Sequence, residues 1–282
     1  MKHWDEKMSQ CSVLTFQPTT NPFVLVKRLL PLPDNRTKVK VPEAVKDCII
    51  SALRSSTNGG LLSNGVASLQ RSQVGENFLW ACDGKGTSDT ILVWHIATCI
   101  LEVKHRYHQR DHEHGSRTNS NSDHKVAATH LSRYCAYLVT WCPELLPDNN
   151  AWSKSLYEAV KEDAERALAN QRHNAAGSWT PEDAYHKVVE LLSENSKHEV
   201  LKNGVKLGKQ LVDTIHDEGT AWKLLAEFWS EMILYVAPSD NLKGHSEAIA
   251  RGGELITLLW ALLFHAGIVS RPGEEDGPAG AV

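Results

Sequence analysis

The chain has no long hydrophobic run. A membrane span needs about 20 predominantly apolar residues, and the two best stretches fall short of that. Phe23–Leu32 is broken by Lys27 and Arg28, and Leu255–Val269 is too short and carries His265. The second reads as a buried core helix. The first 16 residues carry Lys2, Asp5, Glu6 and Lys7 and no uninterrupted apolar segment, so a secretory leader is not expected.

An excess of one charge is missing too. Thirty Lys and Arg stand against 34 Asp and Glu, a formal charge of −4. No global field then favours a phosphate backbone, and nucleic acid is not an expected partner. The six cysteines, Cys11, Cys48, Cys82, Cys99, Cys135 and Cys142, include no C-x-x-C pair, and four of them sit in apolar stretches. A thiol there packs as a small hydrophobe, so they are read as reduced, in an intracellular setting: the cytoplasm or the cytoplasmic face of a membrane.

Several common chemistries are absent by spacing. Gly84-Lys85-Gly86-Thr87 lacks the contiguous Gly-Lys-Ser/Thr of a phosphate loop, and His112-Glu113-His114 is not the H-E-x-x-H zinc pattern. Neither a G-x-S-x-G elbow nor a P-C-x-x-C deaminase element occurs. No fixed-period repeat and no alternation of strand and helix argue for a solenoid or a parallel sheet. No cofactor is implied.

What is present is helical periodicity. With 282 residues and 41% hydrophobic side chains, a chain of this size buries roughly three quarters of its unfolded surface. From Ser88 onward apolar residues recur every three or four positions. Leu92, Ile96, Cys99 and Val103 form one stripe, and Val93, Ala97 and Ile100 widen it until deep burial is implied. Ser88 or Asp89 can cap this helix. The polar run Arg110–Lys125 reads as a surface loop, followed by a stripe of Ala127, Leu131, Tyr134, Leu138 and Trp141 that Pro143 stops.

Further stripes are Trp152 to Leu168, a helix opened by Thr180-Pro181-Glu182-Asp183, Leu201 to Ile215, and Trp222 to Val236. A last helix is expected from Lys243 through Ala266, with Gly267 as its C-terminal cap. The acidic pairs Glu162-Asp163 and Glu182-Asp183 are placed on exposed faces. The expected fold is all-α: an irregular multi-helix bundle over residues 88–269, preceded by a less regular extension of short elements over 1–87 and followed by a disordered tail over 270–282. Within the extension, Val41-Pro42-Glu43 opens a helix through Leu53, and Leu61–Leu69 and Phe78–Cys82 are short apolar runs of either type.

Taken in order, certain segments carry a resemblance. They are Val41-Pro42-Glu43-Ala44-Val45-Lys46, Asn64-Gly65-Val66-Ala67-Ser68-Leu69, Asp89 through Thr98 with Trp94-His95 at its centre, Leu131-Ser132-Arg133-Tyr134 and Pro143-Glu144-Leu145-Leu146-Pro147. Asn203-Gly204-Val205-Lys206-Leu207-Gly208, Trp229-Ser230-Glu231-Met232 and Arg251-Gly252-Gly253-Glu254-Leu255 complete the set. The ordered set resembles the plant family called domain of unknown function 594, joined to the end of the region called domain of unknown function 4220, from roughly Val39 to Ile268. That resemblance implies longer relatives in which this region follows several transmembrane helices, so the chain looks like a shortened member. It brings no established activity or catalytic residue.

The motif residues Trp94, His95, Thr98, Arg251, Gly252, Gly253 and Glu254 are read structurally. Trp94 buries a large ring, and His95 faces another side of the helix as a buried, hydrogen-bonded imidazole, with a catalytic base as the alternative. Arg251 and Glu254, at i and i+3, can pair on one turn while the glycines admit a close crossing. The metal candidates are His105, His108, His112 and His114. If the central helix continues that far, the first three share one face, with Asp111 or Glu113 as an oxygen ligand, a donor set suited to zinc. The bland alternative, a solvated histidine-rich face near a helix C-terminus, is preferred.

The expected function is a non-enzymatic interaction or regulatory module presenting helical faces to a protein partner. Two alternatives stand beside it: an enzyme of unassigned class that uses the histidine group with a metal, and a truncated gene product with little independent function.

Overall fold

The computed structural model describes residues 6–14, 37–57, 63–105, 120–169, 181–239, 241–250 and 253–268. These form an all-α structure with one small antiparallel strand pair. In it, β1 (Lys7–Gln10) runs against β2 (Thr37–Lys40) with Met8 opposite Val39 and Ser9 opposite Lys38. Two four-residue strands are too short to leave a readable period in the sequence. After β2 come α1 (Glu43–Thr57), α2 (Val66–Arg71) and a 3₁₀ segment (Gly75–Cys82), then α3 (Thr87–Lys104) and α4 (Ser120–Trp141). After a 3₁₀ turn (Pro143–Leu145) come α5 (Asn150–Ala169), α6 (Pro181–Asn195), α7 (Glu199–Thr214), α8 (Glu218–Val236), α9 (Leu242–Ala250) and α10 (Leu255–His265).

The centre is α3. Its sequence is apolar on every side, and such a helix is stable only inside a protein. All its residues but Glu102 and Lys104 are buried, including Thr87, Ser88, Asp89 and Thr90 in its first turn. It packs against α4, α5, α6 and α7, while α8 lies on α4, α1 and α2. The closest approach is to α7, and small residues permit it. A Cβ added at Gly204 would stand 2.6 Å from Ile96 Cβ, and one at Gly208 would stand 3.0 Å from Ile100 Cβ. Two glycines one turn apart thus let the two backbones meet along a ridge of isoleucine.

Residues before 87 enter the same core. Met8, Val41, Val45, Leu69 and Phe78 are buried in one cluster with the side chains of α3, α4 and α8. Trp94, from α3, stacks on Phe228, from α8, with ring centroids 3.8 Å apart and an interplanar angle of 19°.

Three expectations are corrected. The last helix is two helices: α9 ends at Ala250 and α10 begins at Leu255. Between them Gly253 takes φ +80° and donates its N–H to Ala248 O at 2.9 Å, a left-handed C-terminal closure that a side chain would strain. Gly267, also at φ +80°, closes α10 as its position predicted. Second, neither Ser88 nor Asp89 caps α3. The carboxylate of Asp148 accepts from Thr87 N at 3.1 Å and Ser88 N at 2.5 Å, so the cap comes from 60 residues downstream. Third, α4 begins at Ser120, so the end of the expected Arg110–Lys125 loop is helical; residues 106–119 lie outside the described residues. Among the described residues no helix is long and apolar enough to cross a membrane.

Candidate functional site

The motif residues of α3 are built into packing. Trp94 donates its indole N–H to Ala81 O at 3.2 Å, tying the 3₁₀ segment to the centre. Thr98 donates to Trp94 O at 2.8 Å and accepts from Trp229 Nε1 at 3.0 Å, so each group's polar atom has a partner.

His95 is fully enclosed. Val13 N donates to its Nε2 at 3.2 Å, so that nitrogen carries no proton, and Nδ1–H is left to donate to Ser132 Oγ at 2.8 Å. Ser12 Oγ stands 3.0 Å from Nε2, yet its proton goes to Leu14 O at 2.7 Å. The constellation of Ser12, His95 and Ser132 superficially resembles a nucleophile, base and orienter. It lacks the carboxylate that stabilises an imidazolium, and burial, helped by the positive Arg133, pushes the imidazole down to about 3 from an ordinary 6.5. What the ring does is hold the segment Ser12–Leu14 onto α3 and α4.

A pH dependence follows. The folded state keeps His95 neutral while the unfolded chain takes up a proton below about 6.5, so its contribution to stability is present above 6.5 and is lost as pH falls toward 3. Between pH 7 and pH 5 this amounts to about 2 kcal/mol, from about 1.4 kcal/mol per unit of proton uptake. His130, also held down by burial, adds in the same direction. Asp89, whose carboxyl is raised, acts oppositely at lower pH. Urea denaturation at pH 7, 6 and 5 should show the wild type losing stability more steeply than His95→Gln. Parallel profiles would mean the imidazole is protonated in place.

The second motif group is divided. Arg251 and Gly252 lie outside the described residues. Gly253 forms the break, and Glu254 is buried at the N-terminal boundary of α10 rather than on a shared helical turn. Tyr137 OH donates to Glu254 Oε1 at 3.0 Å, and Tyr134 OH accepts the free N–H of Ile256 at 3.0 Å. Two tyrosines one turn apart on α4 therefore receive the start of α10. His245 and Trp260, stacked with centroids 4.4 Å apart, join α9 to α10.

Of the histidine group only His105 is among the described residues; His108, His112 and His114 are not. The helix stops at Lys104 and His105 is its C-terminal cap, with its carbonyl accepting from Lys125 Nζ at 2.8 Å and its ring edge-on to Trp222. The expected shared face of His105, His108 and His112 therefore falls largely outside the described residues. Among the described residues no three His, Cys, Asp or Glu side chains stand close enough to hold a metal ion.

Two buried carboxylates were not anticipated as structural. Glu231 accepts from Ser63 N and Oγ (3.2 and 2.5 Å), Ala67 N (3.3 Å) and Ser68 N (2.5 Å), and pairs with Arg71 at 3.4 Å. It is the N-terminal cap of α2, supplied by α8. Asp163, expected on an exposed face, is buried. Although burial alone would raise its pKa, the N–H groups of His198 and Lys197 and the Arg166 guanidinium outweigh that and hold it below the ordinary carboxylate range. It anchors the entry to α7. The only sequence signal for either was an acid inside or beside an apolar stripe.

The six cysteines are all free thiols. Burial pushes Cys48 up to about 11 and Cys82 to about 12, the opposite of what a nucleophilic thiolate needs.

Of the features open to solvent among the described residues, three bear on function. A groove of about 800 Å³ between α1 and α8 is lined by both signs of charge, of which Lys223 and Glu227 pair at 3.9 Å. A smaller cleft of about 290 Å³ opens where α3 and α7 begin, between Trp80 and Trp152. The third is a surface: Leu242 and Ile249 of α9 and Leu258, Leu262 and Phe264 of α10 are between 46% and 64% exposed. Of the nine tryptophans, Trp94, Trp222 and Trp229 are fully buried, and Trp141 is 40% exposed.

The family model described as "Protein of unknown function, DUF594" matches residues 214–268, which take in α8, α9 and α10. The chain is similar to that family over this stretch. Neither the curated proteins nor the solved structures contain a match to the chain.

Proposed function

We propose that the protein is a non-enzymatic interaction module, and that the α9–α10 face docks an amphipathic helix of a partner protein. The observation that carries this reading is five large apolar side chains left exposed on two adjacent short helices, within the stretch that the family model matches. Single exposed apolar residues are ordinary, whereas several on two neighbouring helices point to a function or a partner. Leu258 and Leu262, one turn apart, form the kind of ridge into which helical anchors at i, i+3 and i+4 fit. The sequence of α10 contains no Lys, Arg, Asp or Glu, which disfavours a lipid surface, because interfacial helices carry cations along their polar face. The free thiols suit an intracellular setting. The ordered motifs from roughly Val39 to Ile268 support a plant protein of this family joined to the end of the region called domain of unknown function 4220, and with it a place near a membrane.

The test is site-specific photo-cross-linking in an extract of the source cells, with the probe at Leu262 and, as control, at exposed Glu190 on α6. The expected result is one protein joined at 262 and absent at 190, mapped to an amphipathic helix. A synthetic peptide of that helix should bind the wild type and lose affinity by about a hundredfold or more in Leu258→Glu/Leu262→Glu, from roughly 1.5–3 kcal/mol for each buried leucine. Cross-links only to lipid or to a second copy of the chain, or equal peptide binding by the double variant, would overturn the reading.

A further inference from the structure

The cleft where α3 and α7 begin carries an unsolved charge problem. Asp89, in the first turn of α3, lines it and is 7% exposed, and its Oδ2 is enclosed with no hydrogen-bond partner among the described residues. A buried carboxylate without a partner is costly, and proteins retain one where something else completes it.

The surroundings say which sign that completion has. Two helices start here, and several of their first N–H groups already have acceptors. Asp148 caps α3 through Thr87 N and Ser88 N, and His198 Nδ1 accepts from Val200 N of α7 at 3.2 Å. An incoming anion would meet Asp83, Asp89 and Glu199 along the walls. The one lysine of the lining, Lys85, stands out in solvent with Nζ 4.0 Å from Glu199, and both side chains are largely exposed. Asp89 titrates above the ordinary carboxylate range, first because burial disfavours its charge and second because Asp148 repels it; Lys85 and His198 offset this only in part.

Two indoles, Trp80 and Trp152, also line the cleft. Trp152 lies so close to Gly86 that a Cβ there would stand 3.0 Å from the ring and 2.6 Å from Asp148 Oδ1, so the loop and the indole fit each other. Trp80 has one face already covered by Lys206 Nζ, 4.1 Å from the ring centre. A carboxylate and an indole lining one cleft are the pairing that recognises organic cations, through an ion pair from one and the ring face of the other.

We propose that this cleft binds a small organic cation, an ammonium or guanidinium group seated on Asp89 with Trp152 as its aromatic wall. The volume of about 290 Å³ lies at the lower end of small-molecule sites, which start at roughly 300 Å³. The site is separate in sequence and element from the α9–α10 face, so failure of one reading leaves the other standing.

The experiment is calorimetric titration of the whole chain at low ionic strength with n-butylamine and agmatine, and with n-butanol and butyrate as neutral and anionic counterparts. The two cations should bind saturably, with agmatine near or below about 1 mM, and the alcohol and the acid should not. Asp89→Asn should weaken agmatine by about tenfold to a hundredfold, the range of a charge-assisted hydrogen bond, and Trp152→Leu should weaken it severalfold. Because Asp89→Asn sits in a helix start, the indole N–H resonance of Trp152 gives a second readout in the wild type. It should shift with agmatine and stay still with butanol. Absence of saturable cation binding, equal binding of butanol, or full affinity in a folded Asp89→Asn would overturn the proposal.

Discussion

Trp94→Ala should lower the stability of the protein by about 3–5 kcal/mol, the range for truncating a large buried aromatic. Three losses combine in that figure. The ring is fully buried, so its apolar contacts vanish and a cavity opens between α3 and α8. Its stacking partner Phe228, edge-on to Trp229 with centroids 5.2 Å apart, loses its packed face. The carbonyl of Ala81 loses the indole N–H that reaches it. Urea denaturation checks the value, and Trp94→Phe separates the parts. Phenylalanine keeps most of the stacked area and removes only the hydrogen bond, so its loss should be about 1–2 kcal/mol plus a smaller packing term. A Trp94→Ala protein within about 1 kcal/mol of wild type would mean that α3 and α8 can close the gap, as loosely packed cores do.

Glu231→Ala should cost a comparable amount, about 3–5 kcal/mol, for an electrostatic rather than a packing reason. Removing one partner of a buried charged network leaves the other donors enclosed and unpaired, and that penalty dominates. The stranded groups are the N–H groups of Ser63 and Ser68 and the hydroxyl of Ser63; Ala67 N keeps Ser63 Oγ at 2.8 Å, and Arg71, 47% exposed, can turn to water and adds little. Glu231→Gln keeps the shape but has only one acceptor oxygen, so it should cost about 1–3 kcal/mol. Amide hydrogen exchange supplies a readout that global destabilisation would not imitate. In Glu231→Gln, protection should fall over Ser63–Arg71 first, because a helix of two turns has little stability without its cap. Uniform loss across α3, α4 and α8 would show that the carboxylate supports the core rather than α2.

Glu231 stands in the stretch that the family model matches and Trp94 outside it, and both serve structure. That sharpens where function is to be sought: in the α9–α10 face and the Asp89 cleft, whose key side chains sit on the boundary of the packed core. Leu258 and Leu262 could be read from the sequence only as part of an apolar helix. Asp89 could be read only as a helix start. Neither their exposure nor their lack of partners has a sequence signature, because each depends on what the rest of the chain fails to cover.

The sequence by itself determined the helices. Stripes at 3.6-residue spacing gave α3 to α8 with most of their turns, and the all-round apolar character of Thr87–Lys104 marked α3 as the centre before any contact was known. Gly267 was legible as a helix end because a left-handed residue is a local requirement. Non-local electrostatics was not legible. Asp148 caps a helix 60 residues earlier, Glu231 one 163 residues earlier, and Asp163 receives amides 34 and 35 residues later. Only the tertiary structure decides which acids become buried caps and which remain solvated, since a carboxylate's environment is set by the elements folded against it. The break at Gly253 belongs to the same class. Apolar residues resume a few positions away on both sides, Ile249 before it and Leu255 after it, and Tyr134 and Tyr137 of α4 hold the start of α10 in place.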